Sequence, residues 1–324
     1  MVDTHDAAVL RGGIDLGGTK IEAIVVDDGN TVLGSARHPT PTSGTPADVA
    51  SHMVKAMQEA AQAAETTTAA LAGVGVGSPG SIDPAAGTVS SARNLPGWDG
   101  SFALGPELSK ALGTRVAIGN DVQVATAAEF ELGVGKPYSS LLGVFWGTGV
   151  GGGLVLDKKP WHGRGGAGEI GHMVIKLGGR KCPCGNQGCM EAYAGRAAME
   201  AHARHEIDDG RKSDLLKIME HKQRDRFTSA VWAEAIEHGD DLAGELIDGA
   251  VEALGAGTAS AVNLLDVEAV VIGGGLGVRF GEPYVERIRK QMTKHLFPGR
   301  SMPDVHLVGL GDLGGALGAA LLAS

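Results

Sequence analysis

Three cysteines and one histidine stand at a spacing that suits a metal: His172-x9-Cys182-Pro-Cys184-x4-Cys189. One imidazole and three thiols form a Cys3His set of the kind that holds tetrahedral zinc. Four protein ligands leave no open coordination position, so such a zinc would be structural. The first pair, Cys-x-Cys, is tighter than the Cys-x2–4-Cys of a finger, while Gly185 and Gly188 let the loop fold back on itself. The competing reading, buried free thiols, fits poorly with three cysteines inside eight mostly polar residues. Glu169 precedes the set and Glu191 follows it, and both carboxylates can accept hydrogen bonds from hydroxyls. His172 can offer one ring nitrogen to zinc and the other to a ligand hydroxyl. The alternative for the two acids is a surface position, or support of the metal ligands without contact to substrate.

A second chemistry is written in glycine. Asp15-Leu16-Gly17-Gly18-Thr19-Lys20 and Gly147-Thr148-Gly149-Val150-Gly151-Gly152-Gly153 are loops in which the missing Cβ lets backbone N–H groups approach phosphate oxygens, and Thr19 and Thr148 add hydroxyls. A third cluster, Gly273-Gly274-Gly275-Leu276-Gly277, follows an apolar run. One such loop alone would be a tight hairpin turn; three together point to a nucleotide cleft. Asp15 is placed to hold Mg²⁺ through water, or else caps a turn. Phosphoryl transfer also needs a base for the attacking hydroxyl. Asp121, at the end of the apolar run Thr114–Ile118, is the candidate, with Asn120 beside it able to donate and accept hydrogen bonds as a polyhydroxyl ligand requires. The spacing serves equally well an Asp121 that caps the helix starting at Val122.

The elements that must position these groups read as alternating strands and helices. Ala8–Asp15 and Ile21–Val26 are strands around the first glycine turn, which makes a hairpin; a P-loop or dinucleotide fingerprint would need a helix there. Thr45-Pro46-Ala47-Asp48 opens a helix that runs through Ala64. Leu71–Gly77 is a strand before the turn Ser78-Pro79-Gly80, and Val122–Leu132 is a helix. The opening pattern then recurs: strand Leu141–Trp146, glycine loop, strand Leu154–Leu156. This recurrence suggests two related α/β domains. Asp240–Leu265 is a long helix, Glu268–Ile272 a strand, Gly314–Leu322 a small-residue helix, and Asp208–Phe227 a solvated surface insert.

Composition bounds the rest. The 324 residues include 52 glycines and carry a formal charge of −10, so neither nucleic acid nor an anionic membrane is an expected partner. Lys176, Arg180 and Lys181 beside the cysteines are too thin a basic footprint for a nucleic-acid reader. A signal peptide or apolar span is not evident, and the odd cysteine count gives no disulfide framework, so a cytoplasmic location is expected.

Taken together, these motifs resemble the ROK family of sugar kinases and regulators, within the actin/hexokinase-like superfamily. The resemblance runs from Asp15-x-Gly-Gly-Thr-Lys20 to the C-terminal helix. It passes through Gly77-Ser-Pro-Gly80, Asn94-Leu-Pro-Gly-Trp98, Asn120-Asp121, the 147–153 loop, Glu169-x-Gly-His172 and Cys182-x-Cys184-Gly-x-x-Gly-Cys189-x-Glu191. It implies an α/β fold of two actin/hexokinase-like (ribonuclease H-like) domains flanking an interdomain cleft, with a zinc-bound loop. The smaller domain would be residues 1–121 completed by 312–324, and the larger 122–311.

The resemblance further implies an ATP-dependent hexokinase, transferring the γ-phosphoryl group to O6 of a hexose in carbohydrate metabolism. Glucose is the first expectation; N-acetylmannosamine, N-acetylglucosamine and fructose are the alternatives. Asp121 would be the base, with Gly80, Asn94, Asn120, Glu169, His172 and Glu191 around the sugar. Asp15, Gly17, Gly18, Thr19 and Lys20, together with Gly147, Thr148, Gly149 and Gly151, would form the ATP phosphate site. Gly274, Gly275 and Leu276 would face the adenosine, and His172 with Cys182, Cys184 and Cys189 would hold structural Zn²⁺. Gly-Gly-Thr-Lys in the first loop, where polyphosphate-using relatives carry a Gly-Gly-Ser-Gly type loop, favours ATP with Mg²⁺ as donor. A homodimer or homotetramer is the family's habit. A sugar-sensing repressor is the rival, but only 14 residues precede Asp15, too few for a winged helix. A kinase acting on a carboxylate would want an arginine fork, and only Arg93 stands near the motifs.

Overall fold

The computed structural model describes residues 9–92 and 95–323. The chain divides into two compact units, Met1–Gly133 with Gly309–Ser324, and Val134–Val308.

In the first unit, β1 (Arg11–Leu16) and β2 (Lys20–Val26) form the expected antiparallel hairpin, with Leu16 opposite Ile21 across the glycine turn. Strand β3 (Val32–Pro39) continues the antiparallel order. Helix α1 (Pro46–Ala63) starts where the sequence places it. The Asp48 amide donates to Thr45 Oγ1 (3.4 Å), and Asp48 Oδ2 accepts from the Thr45 amide (2.8 Å), so two otherwise orphaned N–H groups are satisfied reciprocally. Strand β4 (Val74–Ser78) pairs parallel to β1. A small sheet of β5 (Ser81–Asp83), β6 (Thr88–Ser90) and β7 (Ser101–Phe102) leads to α2 (Leu104–Leu112), β8 (Val116–Asn120) and α3 (Asp121–Glu131). The main sheet has the order β3-β2-β1-β4-β8.

The terminal helix, Gly314–Leu321, lies on the backbone of this sheet. A Cβ at Gly13 would stand 2.1 Å from the Ala316 carbonyl oxygen, and one at Gly75 would stand 1.7 Å from that of Ala319. Those glycines are packing residues, and they account for part of the glycine excess. The same helix packs on α3, where a Cβ at Gly318 would come within 2.3 Å of the Val124 carbonyl oxygen. Helix α3 therefore belongs to the first unit, and the unit ends at Gly133, beyond the division expected after Asp121. The chain re-enters the unit at Gly309, ahead of the expected 312. Buried Glu129 accepts from the amides of Gly309 (3.0 Å) and Leu310 (2.9 Å) at that point.

The second unit repeats the plan. β9 (Leu141–Trp146), β10 (Val150–Leu156) and β11 (Lys159–Pro160) are antiparallel. Then come α4 (Glu191–Ala194), α5 (Arg196–Asp208), α6 (Leu215–His221), α7 (Ser229–Glu237) and α8 (Asp241–Leu265). β12 (Ala269–Gly273), α9 (Gly274–Thr293) and β13 (Asp304–Leu307) complete it, with β12 parallel to both β9 and β13. The order β11-β10-β9-β12-β13 matches the first sheet strand for strand, three antiparallel and then two parallel.

Three sequence expectations change here. Gly151–Gly153 lie inside β10: a Cβ at Gly152 would stand 2.6 Å from the Gly168 carbonyl oxygen, so the glycines admit a neighbouring segment, and the loop proper is only 147–149. The 273–277 cluster is a strand-to-helix turn that opens α9. The 208–227 stretch is not a surface insert throughout, because Leu215 and Phe227 are fully buried and Phe227 meets Trp232 edge to face at 5.9 Å. Such a ring contact adds about 0.5–1.5 kcal/mol to the burial itself. Among the described residues, no helix is long and apolar enough to cross a membrane.

Candidate active site

In the first unit, the candidate residues collect at the carboxyl ends of three neighbouring parallel strands. Asp15 of β1 pairs with Gly77 of β4, and Ser78 of β4 with Asn120 of β8. This edge is where α/β sheets ordinarily bind ligands. Asn120 is the cap of α3: its Oδ1 accepts from the amides of Val122 (3.1 Å) and Gln123 (3.2 Å). Asp121 is the first helical residue, half-buried, with Oδ1 2.9 Å from the Val122 amide. The main capping role considered for Asp121 thus falls to Asn120. Gly80 has φ +98 and a Cβ there would meet the Ser90 carbonyl oxygen at 2.5 Å, so this turn needs glycine for its own backbone. Asn94, expected beside it, lies outside the described residues.

Asp15 is pressed against the start of the terminal helix; a Cβ at Gly315 would stand 2.6 Å from its Oδ2. Burial pushes its pKa up to about 6, with Lys20 pulling down and Glu22 adding a smaller upward push. A carboxylate so desolvated is suited to a cation, which would restore its charged form. Lys20 reaches Glu22 (3.5 Å) and the Asp312 carbonyl (3.4 Å), and Arg37 joins them through Nε to Glu22 and Nη2 to Asp312 (3.3 Å).

The two glycine turns are braced by residues that no motif announced. Thr40, buried, donates from Oγ1 to the Gly17 carbonyl (2.6 Å), and its amide donates to that of Thr19 (3.2 Å). The amides of Arg196 and Ala197, at the start of α5, donate to the carbonyls of Gly147 (3.1 Å) and Thr148 (3.0 Å). The carbonyls of Gly17, Thr19, Gly147, Thr148 and Gly149 are engaged, while the amides of Gly18 and Thr19, and of Thr148 and Gly149, have no hydrogen-bond acceptor among the described residues. Turns of that kind bind anions. The start of α9 approaches the second turn: an added Cβ at Gly147 would stand 3.7 Å from the Gly275 amide, and one at Gly274 (φ +81) 2.5 Å from the Trp146 carbonyl oxygen. A Cβ at Gly275 would meet nothing within 4 Å, leaving an open helix N-terminus. Leu276 is fully buried in the core, so only its backbone could serve a ligand. Gly151 pairs with Phe145 within the sheet.

Glu169, His172, Glu191 and the cysteines converge on the start of β10. A Cβ at Gly171 would stand 2.0 Å from the Val150 carbonyl oxygen, which seats the 168–172 turn on that strand. Glu191 Oε2 accepts from the Val150 amide (2.9 Å), so this carboxylate also fixes the second glycine turn. His172 Nε2 lies 3.9 Å from Glu169 Oε2, and Nδ1 lies 3.6 Å from Cys182 Sγ. Cys184 and Cys189 sulfurs are 3.7 Å apart, and the four donor atoms all lie within 4.8 Å of one another. Around tetrahedral zinc, two thiolates would be about 3.8 Å apart and a thiolate and imidazole nitrogen about 3.6 Å. The donor set and its spacing therefore fit that ion. The loop folds back as its glycines suggest: Gly185 and Gly188 have φ of +99 and +81, and the Cys182 amide donates to the Asn186 carbonyl (2.9 Å).

Two α/β units that repeat one five-stranded sheet, each opening on a glycine turn between antiparallel strands, resemble the actin/hexokinase-like class. More narrowly, it belongs to the ROK family, whose sequence profile matches residues 11–324. The chain is 31% identical to a glucokinase of Streptomyces coelicolor over 96% of each sequence. It is 34% identical to an N-acetylgalactosamine kinase of a Shewanella species, covering 96% of this chain and 95% of that one. It also resembles the crystal structure of a ROK family glucokinase from Streptomyces griseus in complex with glucose and AMPPNP, with a TM-score of 0.82, 30% identity, and coverage of 97% and 98% of the two chains.

Proposed function

We propose that this protein is an ATP-dependent hexokinase that transfers the γ-phosphoryl group to O6 of a hexose, glucose first. The observation that carries the reading is the division of labour at the end of β8. Asn120 takes the helix cap, and Asp121 stands in the first turn at the carboxyl edge of the parallel strands. There Asp121 would accept the proton of the attacking hydroxyl, while Asn120, Glu169, His172 and Glu191 bind the others. The unengaged amides of each glycine turn and the open start of α9 are donors of the kind a triphosphate needs; phosphoryl transfer asks for little more than positioning and charge neutralisation. Asp15 is the residue that would hold Mg²⁺ by way of water, and the ion would neutralise charge on the phosphates. His172, Cys182, Cys184 and Cys189 would hold zinc. With Nδ1 toward the cysteines, the ring presents Nε2 on the side of Glu169, where a sugar hydroxyl would bind.

The similarity to an N-acetylgalactosamine kinase favours a second reading, an N-acetylhexosamine kinase with the same chemistry. An ADP-release assay with ATP across glucose, mannose, fructose, N-acetylglucosamine, N-acetylmannosamine and N-acetylgalactosamine separates the two. Highest kcat/KM on glucose supports the first reading, and highest on an N-acetylated sugar supports the second. No turnover on any of them, with folded protein, overturns both.

A further inference from the structure

Arg196 is a buried cation that no carboxylate touches among the described residues. Its side chain sits in a residue only 8% exposed, and among the described residues no carboxylate lies within 4.0 Å of its guanidinium. Its acceptors are neutral: Nη1 donates to the Phe227 carbonyl (2.9 Å) and Nη2 to Thr148 Oγ1 (2.9 Å). The charged neighbours do not neutralise it. Arg226 is repulsive, and Glu200 is already engaged, with Oε1 on Arg204 (2.7 Å) and Oε2 on the Phe227 amide (2.9 Å). A buried charge is ordinarily paired, because an uncompensated one is costly to hold away from water. Here the unbalanced charge sits behind the second glycine turn, attached to the hydroxyl of its exposed threonine.

We propose that Arg196 is the positioning residue of that turn, acting through Thr148 on the phosphates of the nucleotide; this rests on the phosphate-binding reading above. Because the guanidinium occupies an acceptor site on Thr148 Oγ1 and has no lone pair to receive the hydroxyl proton, that proton is left to be donated elsewhere. The amide of Arg196 and that of the next residue hold the carbonyls of Gly147 and Thr148, so one short segment fixes both the backbone and the hydroxyl of the turn. A bound phosphate supplies the negative charge that the protein itself withholds, and the positive field strengthens as water leaves the site.

The test is the affinity for Mg·AMPPNP, measured by calorimetry on the full chain, for Arg196→Met, Thr148→Val and the double variant, with glucose affinity and thermal unfolding as controls. Each single variant is expected to bind roughly 10- to 100-fold more weakly, the scale of a charge-assisted hydrogen bond. The double variant is expected to be little worse than either single one, since the arginine acts through the threonine. Arg196→Gln, which keeps an N–H donor and drops the charge, carries the same comparison if the methionine variant does not fold. Normal AMPPNP affinity in a folded Arg196 variant, or losses that add fully in the double variant, overturns the proposal while leaving the phosphate turn in place. Normal affinity in Thr148→Val overturns the proposal as well, since the arginine acts through that hydroxyl, whereas wild-type protein that does not bind Mg·AMPPNP overturns the phosphate-binding reading beneath it.

Discussion

Replacing Asp15 by Asn should stabilise the protein and disable it. Burial raises the Asp15 pKa from 3.8 to about 6 in the folded chain. Between those values the folded state holds a proton that the unfolded state has released. The stability contributed by protonated Asp15 is complete below pH 3.8 and is lost as pH rises through 6. The difference of about 2 pK units converts at about 1.4 kcal/mol each, so ionised Asp15 costs the metal-free fold up to about 3 kcal/mol above pH 7. Asn keeps the shape and removes the charge. Urea unfolding of both proteins between pH 4 and 8, in chelator, is expected to show no difference near pH 4. At pH 7.5 Asp15→Asn should be the more stable by up to about 3 kcal/mol. Added Mg·ATP should raise the stability of the wild type more than that of the variant, and ADP release by the variant should fall sharply. A pH-independent difference, or a variant less stable than wild type at pH 7.5, would refute the reasoning.

Other outcomes follow from single contacts. Metal analysis of purified protein should find one zinc per chain, and strong chelators or Cys189→Ser should lower the melting temperature; metal-free protein of unchanged stability would remove the site. Thr40→Val strips the first glycine turn of its side-chain brace and should cost about 1–2 kcal/mol of stability while weakening ATP binding more than sugar binding, as read by calorimetry. Glu129→Gln trades a carboxylate for an amide at the amides of Gly309 and Leu310 and should destabilise by about 1–3 kcal/mol, measured by denaturant unfolding; a neutral effect would show that the carboxylate is not what anchors the returning chain.

Local chemistry is what the sequence displays well. The box at Thr45 and Asp48, the hairpin around Gly17–Thr19, the recurrence at Leu141–Trp146 and the Cys3His spacing all depend on residues close in the chain. Each is found as a structural feature where the residues announce it. Glycine is harder to read, because its missing side chain serves two ends. At Gly275 the space stays open, whereas at Gly13, Gly75 and Gly152 it is filled by another segment's backbone. Sequence also does not reveal the braces. Thr40 lies more than twenty residues after the turn it holds, and Arg196 nearly fifty after Gly147, and neither stands in a motif. Their roles arise only when folding brings the residue after β3 and the start of α5 against the turns. The placement of α3 followed the same rule, since its allegiance to the first unit is decided by the terminal helix, almost two hundred residues away.

The most direct test of the central claim is the turnover of Asp121→Ala with ATP and the preferred hexose, alongside calorimetric binding of that sugar. A lost general base is expected to cost roughly 10²- to 10⁴-fold in kcat, with sugar affinity and melting temperature close to wild type. An Asp121→Ala enzyme that turns over within a few-fold of wild type would contradict the assignment.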